Sequence, residues 1–343
     1  MRLLFATTFG HLPELVGGLQ TTTDELAHAL QRREIDVAVL CETLDQPAAG
    51  LRSDSACFYP TIRAPDSVGA LPAVAAALRP DAIVVQTGPN LARLVAAALD
   101  SGLPTAVYLH NVELGELGGT LLPDPRILYV ANSPFTAARW RAAFGVESQV
   151  VLPYIERATY VTESTREHIL FVNPTMPKGV ELFFRIAAAR PGLPFAVVES
   201  WTLDPAWRRF CVERAARLGN IEFLTPTRDM RALYARTRLL LMPSLWEESY
   251  GRSVTEAQLS GIPTLASTRG NLIDTVGAGG LTVDLHAPLD DWLVALDGLW
   301  SAAAEGPYSV AARAHASRPE AAPDGIVDRF VTLLSRHAEA MAA

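Results

Sequence analysis

Short, nearly unbroken apolar runs alternate with longer amphipathic, alanine-rich stretches along the whole chain. This alternation predicts doubly wound parallel sheets with crossover helices, and runs this continuous suit strands buried on both faces. In the first half the predicted strands are Arg2 to Thr7, Asp36 to Cys41, Ala82 to Gln86, Thr105 to Leu109 and Ile127 to Ala131. Helices are predicted at Thr23 to Gln31, where Thr22-Thr23-Asp24-Glu25 has capping-box spacing, and at Leu71 to Leu78, Leu91 to Ser101 and Pro134 to Ala143. The pattern then restarts. Strands are expected at Ile169 to Val172, Phe195 to Val198, Ile221 to Phe223, Leu239 to Met242 and Thr264 to Ala266. Their helices are Gly179 to Ala189, Asp204 to Leu218, Arg228 to Ala235 and Ser253 to Ser260. Pro153 to His168, polar and aperiodic, marks the junction. The expected fold is therefore α/β: two Rossmann-like doubly wound domains, 1–160 and 161–324, facing a central cleft. A closing amphipathic helix, 325–343, carries Ile326, Phe330, Val331, Leu333 and Leu334. Ligands of open parallel sheets lie at the carboxyl ends of the strands, where helix N-termini supply backbone donors.

The composition narrows the function classes. With 343 residues, 49% apolar and 19% charged, the chain can bury two cores, which excludes disordered and fibrous classes. A formal net charge of −8 argues against nucleic acid as a partner. Cys41, Cys57 and Cys211 have neither disulfide-framework nor zinc spacing, so a reducing, cytoplasmic setting is expected. No run approaches the ~18 uncharged apolar residues of a spanning helix, so no integral membrane segment is expected. The apolar run after Met1-Arg2 reads as a first buried strand rather than a leader, since Gly10, His11, Pro13 and Glu14 follow at once.

Candidate chemistry gathers in three places. Of the 29 basic side chains, Lys178 is the single lysine, and it sits at a strand-to-helix turn beside Gly179. A flexible ammonium there suits a phosphate held at the helix N-terminus. The run Pro243 to Ala257 follows another strand and carries Glu248, Tyr250, Gly251, Arg252 and Glu256. Gly251 and the next amides form an anion seat, and the two carboxylates can accept hydroxyl protons from a sugar and a ribose; Ser253 and Glu256 also have capping-box spacing. Gly17 and Gly18 precede the first helix, where a backbone without side chains can approach a ligand closely, and no G-x-G-x-x-G is present. His110 ends a predicted strand, a position fit for proton or hydrogen-bond work. His11, His28, His168, His286, His315 and His337 show no metal spacing, and no D-x-D pair stands in a suitable loop.

These residues resemble a known family. Glu248 and Glu256, separated by seven residues within Pro243 to Pro263, look like the E-x7-E signature of the retaining nucleotide-sugar glycosyltransferases of family four, which have the GT-B fold. Gly17-Gly18, Ala131-Asn132-Ser133, Val151-Leu152-Pro153, Lys178-Gly179, Gly261-Ile262-Pro263 and Gly270 to Val276 follow in that family's order. The resemblance implies a donor-binding second domain and an acceptor-facing first domain. It implies Lys178 on the donor diphosphate, Glu248 on sugar hydroxyls, Glu256 on ribose hydroxyls, and Tyr250, Gly251 and Arg252 in the donor seat. Gly17 and Gly18 would approach the diphosphate across the cleft, His110 would lie near the transferring sugar, and the last helix would return to the first domain. The nucleoside diphosphate sugar is a co-substrate, with no bound cofactor or metal implied, and a small molecule or glycan is favoured over a lipid as acceptor. Two departures stand out: Asn173 replaces an arginine usual in the family, and Val197 to Trp201 replaces a glycine-rich turn. Variable loops at Phe9 to Val16, Ser53 to Pro65 and Asn111 to Pro125 are expected to build the acceptor pocket. A nucleotide-sugar epimerase of the same fold and a glycosyltransferase-like subunit without turnover are the alternatives.

Overall fold

A computed structural model describes residues 1–44, 50–200, 203–302 and 305–342. The chain divides into two compact α/β units, Met1–Ile155 with Pro323–Ala343, and Glu156–Ala322. Trp201 and Ala343, which fall within segments named above, lie outside the described residues.

The first unit holds β1 (Arg2–Ala6), β2 (Asp36–Glu42), β3 (Arg52–Asp54), β4 (Thr61–Ala64), β5 (Ala82–Gln86), β6 (Thr105–Leu109), β7 (Ile127–Ala131) and β8 (Gln149–Val150). Its helices are α1 (Gly18–Gln31), α2 (Ser67–Leu78), α3 (Leu91–Asp100) and α4 (Pro134–Phe144). The strands form one sheet in the order β3-β4-β2-β1-β5-β6-β7-β8, parallel except where β3 meets β4. Because successive side chains alternate across a strand, Leu4 and Ala6 of β1 enter one core while Leu3 and Phe5 enter the other. The helix Pro323–Ala342 covers the second of these cores with Ile326, Val327, Phe330 and Leu334, and the Phe330 ring stacks on Phe5 at 6.2 Å.

Two local expectations need correction. Helix α1 begins at Gly18, five residues before Thr23, so Thr22 to Glu25 is helix interior and not a cap; the Thr23 hydroxyl bonds back to the Leu19 carbonyl. The segment Ser53 to Pro65 contains β4 and most of β3, strands too short to show alternation. Within β4 the guanidinium of Arg63, 1% exposed, is hidden by hydrogen bonds to Asp54 (2.7 Å) and to the carbonyls of Leu12 (2.5 Å) and His11 (3.2 Å). A charged residue reads as exposed until its partners are known, which is why the strand was invisible in sequence.

The second unit holds β9 (His168–Val172), β10 (Phe195–Val198), β11 (Ile221–Leu224), β12 (Thr237–Met242), β13 (Thr264–Ser267) and β14 (Gly280–Val283), all parallel, in the order β11-β10-β9-β12-β13-β14. Helices α5 (Arg157–Tyr160), α6 (Val180–Ala189), α7 (Pro205–Leu218), α8 (Met230–Tyr234), α9 (Arg252–Leu259), α10 (Leu272–Val276), α11 (Leu289–Ser301) and α12 (Pro307–Ala316) complete it. The Asp204 carboxylate caps α7 by accepting from Ala206 N and Trp207 N, as its position before Pro205 suggests. Strand β14 and helices α10 to α12 extend beyond the elements predicted. A second capping box fails too: α9 starts at Arg252 behind Gly251, and no side chain caps it.

Strand order reverses between β1 and β5 in the first unit and between β9 and β12 in the second. At such a switch point the loops leaving the two central strands part and open a crevice. The residues singled out in sequence lie in those loops or close to them. Among the described residues no helix is long and apolar enough to cross a membrane.

Candidate functional site

In the second unit, the loop after β9 runs through Asn173 into a single 3-10 turn, Met176–Lys178, and then α6. The loop after β12 is stitched to it: Leu245 N and Trp246 N both donate to the Pro177 carbonyl, at 2.8 and 2.9 Å. Gly179 makes this approach possible. It stands at φ +81, and a β-carbon there would overlap the Pro243 carbonyl oxygen. Held so, Lys178 Nζ donates to Glu248 Oε1 at 2.6 Å, and Ser244 Oγ donates to the same oxygen at 2.7 Å. The pair is largely enclosed, with the lysine side chain 17% and the glutamate side chain 10% exposed.

The Glu248 backbone is fixed independently of its side chain. Asn271 N donates to the Glu248 carbonyl at 2.7 Å, and Gly270, at φ +64, lets the loop after β13 lie directly on the Glu248 main chain. From the same loop Arg269 donates to the Leu245 carbonyl at 3.2 Å and faces Glu247 at 3.7 Å, a cation near the site that sequence reading did not single out. Its signal was its place directly behind β13.

Arg252 and Glu256 form a second pair across the first turn of α9, Nε to Oε1 2.6 Å. The Tyr234 hydroxyl donates to Glu256 Oε2 at 2.9 Å, while Arg252 bonds the Tyr160 hydroxyl at 2.9 Å and lies over its ring. Burial, then the adjoining carboxylate, pushes the Tyr234 phenol far above its ordinary pKa, so it remains a donor to Glu256. The Tyr250 ring is buried, its hydroxyl accepting from Thr255 Oγ1 at 3.1 Å, and its carbonyl accepts from Thr275 Oγ1. Asn173 adopts φ +66, a backbone region asparagine tolerates better than most residues. The residue is 3% exposed, and neither Nδ2 nor Oδ1 has a partner among the described residues.

In the first unit, Gly17 is extended and caps α1, with Gly18 opening the helix beyond the carboxyl end of β1. A β-carbon on Gly17 would press on Gln20 Oε1 at 2.7 Å, whereas one on Gly18 would meet nothing within 4 Å. His110, just after β6, packs on the Tyr108 ring at 4.0 Å and faces the Gln86 amide at 3.4 Å, which itself donates to Thr23 Oγ1 at 2.6 Å. Burial pushes the His110 imidazole down from 6.5 to about 3, so it is neutral at physiological pH and can offer a hydrogen bond, not a positive charge. His11, dismissed in sequence, belongs to a buried network. Its Nε2 lies 2.7 Å from the Tyr59 hydroxyl, which donates to Asp24 at 2.8 Å and is also hydrogen-bonded to Cys57. The donor atoms of His11, Asp24 and Cys57 lie within 4.8 Å of one another, a spacing a metal could use, but here the fully buried phenol is the group they surround.

The His110 shift has a stability consequence. Folded His110 stays neutral down to about pH 3 while the unfolded chain takes up a proton near 6.5, so over that window the unfolded state binds more protons and stability falls with pH. His110→Gln is expected to lose less stability than wild type between about pH 7.5 and about pH 5. Thermal unfolding midpoints at the two values measure this; equal losses in the two proteins would contradict it.

Residues 16–180 match the family model described as Glycosyltransferase Family 4, and residues 166–301 match Glycosyl transferases group 1. Over 195 residues the chain is 35% identical to a D-inositol 3-phosphate glycosyltransferase of Salinispora arenicola, covering 52% of this chain and 43% of that protein. Over 86 residues it is 36% identical to the O-antigen chain mannosyltransferase B of Escherichia coli, covering 24% of this chain and 22% of that protein. The chain thus spans less than half the length of the curated relatives it matches. Among solved structures, Anabaena Alr3699/HepE in complex with UDP has a TM-score of 0.77 at 18% identity, covering 98% of this chain and all of that one, a likeness of fold. Two parallel-sheet domains of this topology, with matches to two glycosyltransferase family models running from residue 16 to residue 301, make the chain similar to the family-four type of GT-B glycosyltransferases.

Proposed function

We propose that the chain transfers a glycosyl group from a nucleoside diphosphate sugar to an acceptor hydroxyl, with retention of anomeric configuration. The observation that carries this reading is the meeting of Lys178 with Glu248, beside Arg252 with Glu256, in the loops at the carboxyl ends of β9 and β12. A diphosphate needs positive charge, and a sugar and a ribose need acceptors for their hydroxyl protons; these residue types answer both needs. The relatives' names fit that class, and Alr3699/HepE was solved with UDP and with UDP-glucose.

In this reading the Lys178 ammonium and the backbone amides at the start of α9 hold the diphosphate, steadying the charge that develops on it as the glycosidic bond breaks. Glu248 takes the sugar hydroxyls and Glu256 the ribose hydroxyls. The bare Asn173 carboxamide takes a polar group of the same donor. Neither glutamate is assigned as a nucleophile. The departing phosphate accepts the proton of the incoming hydroxyl on the same face of the sugar, and the protein contributes positioning and electrostatics. With an ammonium and a helix N-terminus serving the leaving group, no metal ion is called for. To the first unit we assign the acceptor, a small molecule or glycan, with Gly17 and Gly18 at the open start of α1 and the neutral His110 as a hydrogen-bonding group. Three free cysteines, all buried, suit a reducing compartment such as the cytoplasm.

A thermal-shift panel of UDP, GDP, ADP and dTDP tests the donor class. One diphosphate is expected to raise the unfolding midpoint, by about 2.7 kcal/mol of stabilisation at 100 times its Kd. No shift with any of the four would count against the reading. Incubation with the sugar nucleotide alone separates the rival chemistry, since an epimerase releases an isomerised sugar nucleotide without any acceptor.

A further inference from the structure

The loops that would receive a dianionic diphosphate are internally neutralised, for Lys178 faces Glu248, Arg252 faces Glu256 and Arg269 faces Glu247. These three pairs are not equivalent. Arg252 is held by Glu256 and Tyr160 together, and Arg269 is also tied to a backbone carbonyl. Lys178 is a compact ammonium on a flexible stem, whereas its partner is anchored: Gly270 and Asn271 clamp the Glu248 backbone, and Ser244 fixes the carboxylate. If one member of this pair moves, it is the lysine. Asn173 is neutral, so the loop after β9 offers no second cation in its place.

Resting on the donor reading above, we infer that Glu248 is a specificity-determining latch: it holds Lys178 in the empty site and releases it fully only to a ligand that brings sugar hydroxyls along with the diphosphate. When Lys178 swings to a phosphate, Glu248 is left largely enclosed, bonded to Ser244, an unfavourable state for a carboxylate. A nucleoside diphosphate carries nothing to replace the ammonium. A sugar nucleotide does, because its hydroxyls donate to the carboxylate Lys178 has left. The site therefore favours the intact donor over the spent nucleotide, which speeds product release.

The test is calorimetric binding of UDP and UDP-glucose, with GDP and GDP-mannose as the alternative pair should the panel select guanosine. Wild type is expected to bind the sugar nucleotide more tightly than the diphosphate. Glu248→Gln is expected to bind the diphosphate about tenfold more tightly than wild type and to lose that preference. Glu248→Asp keeps the charge but shortens the reach to Lys178, so it too should tighten diphosphate binding; relief of simple charge repulsion would leave it unchanged. In a Lys178→Ala background the gain from Glu248→Gln should vanish. Unfolding midpoints confirm that each variant is folded. Unchanged or weaker diphosphate binding in either Glu248 variant overturns the latch while leaving the donor reading in place. Failure of wild type to bind any diphosphate of the panel or either sugar nucleotide overturns the donor reading and the latch with it.

Discussion

Lys178→Ala is expected to lower turnover of the nucleotide sugar by about 10²–10³-fold, the usual loss when one preorganised donor to a developing negative charge is removed. Lys178 is the chain's single lysine and is held by Glu248 at 2.6 Å in a stitched pair of loops, so no neighbouring lysine can replace it. The fold should survive. The side chain is 17% exposed, and its removal leaves Glu248 bonded to Ser244 Oγ. An unfolding profile like that of wild type together with a collapse of kcat would therefore be the expected pattern. Lys178→Arg should recover only part of the activity, because a planar guanidinium fork does not replace a compact, rotatable ammonium. Near-normal turnover in Lys178→Ala would show that the diphosphate is held elsewhere.

Gly179→Ala is expected to destabilise the second unit by about 3 kcal/mol or more, combining the left-handed backbone penalty with a backbone clash. At φ +81 its β-carbon would overlap the Pro243 carbonyl oxygen, forcing apart the two loops that Leu245 N and Trp246 N tie to Pro177. Since these loops carry Lys178 and Glu248, activity should fall with stability. Gly18→Ala is the internal control, for it opens a helix and an added methyl meets nothing within 4 Å, so its stability should change by about 0.5 kcal/mol or less. Chemical denaturation of both variants checks the contrast. A Gly179→Ala protein as stable as Gly18→Ala would mean that the loops separate easily.

Much of the fold was legible because buried parallel strands leave an unmistakable trace. Ala82–Gln86, Thr105–Leu109 and Ile127–Ala131 were predicted to the residue, each a run whose every side chain must avoid water on one face or the other. Helix starts were less legible. The polar groups of Thr22, Thr23 and Glu25, which resembled a cap, are buried inside α1, because the protein around the helix satisfies them. Ser253 and Glu256 misled in the same way: Glu256 is occupied by Arg252 and Tyr234, the latter from a different helix. Arg63 and the His11, Asp24, Cys57 and Tyr59 network were invisible, since their partners are distant in sequence.

By itself the sequence determined the two-fold α/β pattern, the strands that form the two sheets, and the residue types able to meet a phosphate and a sugar. Apolar periodicity and a solitary lysine are local properties, readable one segment at a time. Only the tertiary structure decided which charges neutralise one another, that Glu248 is anchored and bonded to Lys178, that His110 is held neutral, and that the Asn173 carboxamide is buried without a partner among the described residues. Those outcomes depend on distance and burial, and both are set when segments separated by tens of residues are brought within a few ångströms.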